Sequence, residues 1–210
     1  MAKRTELSPR LTYWTAPHPR WQPNPEWPED VGCALYVADD VLALVDPLVR
    51  DDLNPNAWDW LDEAAAAEKL PVAVLLTAPW HERSTRAAVE RYDARVWIAE
   101  RGRERVNDLP QLGTLPSGVV AFEPRGIDEG QVALYLEKER SLVVAEFFLG
   151  TPSGLQLMPS PATDDVDAFV DSITELERLP IDRVLVAHGT PVLGQGREAI
   201  AAAVRRYRRP

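Results

Sequence analysis

Val72-Ala73-Val74-Leu75-Leu76-Thr77-Ala78-Pro79-Trp80-His81-Glu82-Arg83-Ser84 is the stretch that decides how this chain is read. Its apolar opening has the length and β-branched character of a buried strand. Pro79 ends that strand, and Ser84 opens a helix-like segment running to Tyr92. A loop that leaves the C-terminal end of such a strand and enters a helix is where open α/β folds place their chemistry. Arg95 to Ile98 follows as a second apolar run, so the segment reads as a βαβ unit.

Working outward, Leu35–Val37 and Val41–Val45 flank Asp39-Asp40 and predict a hairpin with a polar turn. Asn56 is placed to cap a helix from about Ala57 to Leu70, with alanines 64 to 67 supplying propensity. Downstream, Val119–Phe122, Val132–Leu136 and Leu142–Val144 are strand-like. Thr163, with Asp164 and Asp165, marks another helix start. That helix has an apolar stripe at Val166, Phe169, Val170, Ile173 and Leu176. Val184–Ala187 is a last buried strand, Arg197–Tyr207 a last helix, and Thr151–Pro161 a long surface loop. Strand-rich halves each followed by helices predict a layered α/β fold.

Residues 1–30 stand apart. Pro9, Pro17, Pro19, Pro23, Pro25 and Pro28 exclude regular helix and favour extended backbone. Trp14, Trp21 and Trp27 between them would be unfavourable in water, so this arm is expected to pack across the domain formed by residues 31–210.

The 210 residues carry a formal charge of −10 and a pI near 4.8, which argues against nucleic acid as a main partner. The basic tail Arg205-Arg206-Tyr207-Arg208-Arg209 suits a helix C-terminus. Cys33 is the single cysteine, so no intrachain disulfide can form, and a cytoplasmic home is expected. No run approaches the ~20 apolar residues of a membrane span. A homodimer is compatible with the composition but not required by it.

Only three histidines are present, His18, His81 and His188. They cannot assemble a four-ligand structural zinc site with one cysteine at usual spacing. No phosphate-binding glycine loop or nucleophile elbow occurs.

Five segments in order carry a resemblance: Leu44-Val45-Asp46-Pro47, Leu76 to Arg83, Arg125-Gly126-Ile127-Asp128-Glu129-Gly130 with the strand after it, Leu142-Val143-Val144-Ala145-Glu146, and Val186-Ala187-His188-Gly189. In this order the chain, from about Val31 to Ala203, resembles the metallo-β-lactamase superfamily. The resemblance implies an αββα sandwich of a hydrolase-like kind. It also assigns the positions of a two-metal centre. The leading histidines of the family motif fall on Ala78 and Trp80, its aspartate on Glu82, and its last histidine on Arg83. A further histidine falls on Ile127, the bridging aspartate on Glu146, and the final histidine is kept as His188. Asp46 matches an acid that supports the site. His81 occupies a variable motif position and is expected to point away, and His18 is expected to be incidental.

Ala78, Trp80 and Ile127 cannot give zinc a lone pair, so the first metal position is lost. Glu82, Glu146 and His188 could ligate a single zinc or other divalent ion in the second. Arg83 would repel it, since a guanidinium stays charged and has no acceptor. These residues imply a metal-free cluster of Glu82, Arg83, Glu146 and His188, with Trp80, Ile127 and Asp46 around a site that binds a small molecule or protein partner. The alternative is a hydrolase, with one metal on Glu82, Glu146 and His188, or with a carboxylate as metal-independent general base.

Overall fold

The computed structural model describes residues 3–23, 27–127, 130–158, 163 and 165–208. Pro25, Asp128, Glu129, residues 159–161, Asp164 and Arg209, all within segments named above, lie outside them.

Alternation along the strands builds the layers. β3 (Asp30–Val37), β4 (Leu42–Val45), β5 (Val72–Leu75) and β6 (Arg95–Trp97) pair side by side, with β3–β4 antiparallel and β4–β5–β6 parallel. β7 (Val119–Phe122), β8 (Ala133–Leu136) and β9 (Ser141–Thr151) form an antiparallel meander, and β11 (Arg183–Gly189) lies parallel to β9. β11 meets β3 through His188 opposite Val31, which joins the halves into one curled sheet.

One face of each half turns inward. Tyr36, Val45 and Leu75 pack there against Leu134, Val143 and Leu185. On the outer face of the first half, Leu44, Val74 and Val96 meet helix α1 (Asp59–Glu68) through Leu61 and helix α2 (Thr85–Tyr92) through Ala88. On the outer face of the second, Val144 and Val186 meet α3 (Val166–Glu175) through Phe169 and Ile173, and α4 (Gly196–Arg208) through Ile200 and Val204. Three apolar interfaces between four layers make the αββα sandwich that the sequence implied. Gly32 is needed where β3 passes β11, because a Cβ there would lie 2.2 Å from the Val186 carbonyl oxygen.

The N-terminal segment departs from the expected arm. β1 (Lys3–Ser8) and β2 (Leu11–Pro17) form a hairpin, and all of β2 pairs antiparallel with β3. Pro9 lies in the hairpin turn, Pro17 ends β2, and Pro19, Pro23 and Pro28 follow it, where ladder donors are not needed. Asn56 stays in a turn and Trp58 takes the N-cap position of α1. Thr163 bridges to Ile127 instead of capping, and Asp165 caps α3 by accepting from the Ala168 N–H at 2.9 Å. The expected surface loop after Thr151 contains a strand, β10 (Gly154–Leu157), because β9 runs on past Val144 and turns back. Among the described residues no helix is long and apolar enough to cross a membrane.

Candidate functional site

The parallel pairing of β4 and β5 places Val45 opposite Leu75, so both strands deliver their next residues to one edge. Asp46 turns there with φ of +47°, and its N–H donates to the Leu75 carbonyl. Its carboxylate is buried. Thr77 donates to it twice, from the backbone N–H at 2.8 Å and from Oγ1. Pro79–Glu82 forms a short 3-10 turn kinked at His81. The kink swings His81 inward until Nδ1 is 2.9 Å from Asp46 Oδ2. Burial pushes the Asp46 carboxyl up, but His81, Arg83 and Thr77 outweigh it and hold the group below the usual carboxylate range.

The second half of the site comes from β9 and β11. Their register shifts between Val186 and His188, and the irregularity brings His188 beside Glu146. Glu146 Oε1 accepts from Trp80 Nε1 at 3.1 Å and faces His188 Nε2 at 3.4 Å. His81 Nε2 lies 3.8 Å from the same oxygen, too far for a hydrogen bond, and has no partner. Burial raises the Glu146 carboxyl, yet His188, His81 and Trp80 together draw it far below its ordinary value. Burial lowers His188, and Glu146 only partly offsets this. A neutral His188 then donates through Nε2, leaving its buried Nδ1 without a partner.

These directions set the acid behaviour. Asp46, Glu146 and His188 all have depressed folded values, so each contributes stability that is lost as pH falls. The His188 part goes first, below about pH 6.5, where the unfolded chain takes up the proton more readily. The urea midpoint should therefore drop between about pH 7.5 and 5.5, and His188→Gln should flatten that part of the curve. An unchanged slope in the variant would show that His188 is not the titrating group.

Several expected positions are corrected. His81, read as pointing away, stands between Asp46 and Glu146 because the kinked turn changes the phase of the loop. Glu82 instead turns outward, accepting from Arg86 Nε at 2.6 Å one helical turn on. Arg83 does not bridge Glu82 and Glu146. Its NH1 donates to the Gly32 and Asp46 carbonyls, 2.9 Å each, from a backbone with φ of +40°. Ile127 sits in the apolar core against Ala78, away from the cleft. His18, expected to be incidental, lines the cleft together with Trp27, whose ring centroid is 4.7 Å from that of His188.

The cleft has a volume of about 720 Å³, with Glu146, His81, His188, Trp27 and Trp80 among its lining residues. Two of the three first-position residues, Ala78 and Ile127, belong to the core, and Trp80 presents an N–H with no lone pair. Glu82 is committed to Arg86, and among the described residues no three His, Cys, Asp or Glu groups converge as metal ligands.

This architecture is shared with solved structures. A metallo-β-lactamase from Erythrobacter litoralis superposes with a TM-score of 0.69 at 17% identity, covering 97% of this chain and 95% of that one. One from Pontibacter korlensis gives 0.68 at 14%, covering 98% and 99%. A β-lactamase domain protein from Burkholderia ambifaria gives 0.67 at 17%, covering 97% and 76%. No family model matches the sequence, and no curated protein matches it significantly. The chain has the metallo-β-lactamase fold.

Proposed function

We propose that this protein uses the metallo-β-lactamase fold without a metal, as a small-molecule-binding protein whose cleft is floored by Glu146, His81 and His188. The observation that carries this reading is the Trp80 indole N–H donating to Glu146, where the motif has an imidazole. A donor-only group aimed at the bridging carboxylate takes the direction in which a cation would be held. Arg83, fixed on two backbone carbonyls, adds a permanent charge to the same loop. Hydrolysis with Glu146 as general base is disfavoured, since a carboxylate held so far below its ordinary value is a weak base.

Thermal unfolding tests it. Neither excess chelator nor added Zn²⁺ should move Tm by more than about 1 °C. A functional metal site would instead shift Tm by roughly 5–10 °C at saturating metal, and that result would overturn the proposal.

A further inference from the structure

Resting on the metal-free reading, we infer that the cleft recognises a small organic amine, whose ammonium group docks on Glu146 between Trp27 and Trp80. The starting point is an unbalanced charge. Glu146 is a half-buried carboxylate at the cleft floor, its side chain 27% exposed. Its described neighbours, Trp80, His188 and His81, all approach Oε1. Among the described residues Oε2 receives no hydrogen bond, and no lysine or arginine forms an ion pair with Glu146.

The arginines that line the same cleft are engaged elsewhere or stand at its mouth. Arg83 is turned onto the Gly32 and Asp46 carbonyls, and Arg50 is held by Asp52 with two bonds of 2.6 Å. Arg20 and Arg105 are exposed. An ionised carboxylate in a partly desolvated site gains strongly from a cationic partner, and among the described residues no lysine or arginine is paired with this one.

The walls suit a cation of a particular kind. Trp27 packs on His188 and Trp80 bonds Glu146, so two indoles line the cleft that Glu146 floors. Indole faces attract ammonium groups, and they also bury an attached apolar body. A volume of about 720 Å³ has room for a molecule larger than a bare ion. Carboxylate, aromatic walls and room together fit an amine carrying an apolar or aromatic group.

The experiment is calorimetric titration of the untagged protein with phenethylammonium chloride, and separately with phenylacetate, at low salt. The same samples are assayed for metal. The amine should bind with a Kd of about 1 mM or tighter, and the acid at least about tenfold more weakly. Glu146→Gln should lose about tenfold in amine affinity, its melting curve showing that it is folded. Should that variant not fold, Trp27→Leu serves in its place and should weaken the amine several-fold. Metal-free protein that binds no amine, prefers phenylacetate, or keeps its amine binding in the folded variant tested overturns this inference while leaving the metal-free reading standing. Stoichiometric metal in the samples overturns that reading, and the inference with it.

Discussion

Asp46→Ala should destabilise the protein by about 3–5 kcal/mol, because it removes a buried carboxylate on which three donors converge. Asp46 accepts the Thr77 N–H, the Thr77 hydroxyl and His81 Nδ1, all buried. Truncation leaves each donor without an acceptor in a space closed to water. Alanine also tolerates the +47° φ poorly, whereas asparagine accepts it and keeps one carbonyl oxygen. Asp46→Asn should therefore lose only about 1–2 kcal/mol. Urea unfolding of both variants separates the contributions. A loss below about 1 kcal/mol for Asp46→Ala would mean that the network does not hold the loop.

Arg83→Ala should lose about 2–4 kcal/mol, because the guanidinium ties β3 to the end of β4 through the Gly32 and Asp46 carbonyls. It also supports the Asp46 carboxylate by charge. Arg83→Lys should recover less than half of the loss, since its ammonium ends one bond short of the NH1 nitrogen that makes both hydrogen bonds. Full recovery by lysine would reduce the role of Arg83 to charge alone. Both substitutions should lower amine binding only if the loop moves, so their effect on stability is the primary readout.

The sequence made some of this plain and concealed the rest for physical reasons. The hairpin β3–β4 and the unit from β5 to β6 were legible because short apolar runs met clear turn and helix-start residues. Asp46, Glu146 and His188 were named through the ordered motifs, and the ladder fixes where they stand: Asp46 just after β4, Glu146 within β9 and His188 within β11. His81, Glu82 and Arg83 were assigned the wrong directions because they lie in a short 3-10 turn. There a kink of one residue exchanges inside for outside, and no periodicity records it. The combination of a rare histidine with an acid already placed at the neighbouring strand end was the available signal. The N-terminal strands were obscured by prolines, although Leu11-Thr12-Tyr13-Trp14-Thr15 has the aromatic and β-branched content of a strand. Trp27 reaches the cleft only through the pairing of β2 with β3, a contact that composition cannot express.

Glu146 links the account together. The fold brings a carboxylate to a place suited to a cation, where Trp80 donates to it and His188 faces it. Asp46 and Arg83 fix the loop that brings Trp80 and His81 to the cleft.

The most direct measurement is the metal content of untagged protein purified without a chelating column, by elemental mass spectrometry. The account predicts less than about one-tenth of an equivalent of zinc, iron or manganese per chain. A content near one equivalent, removed by chelator with a fall in Tm, would contradict it.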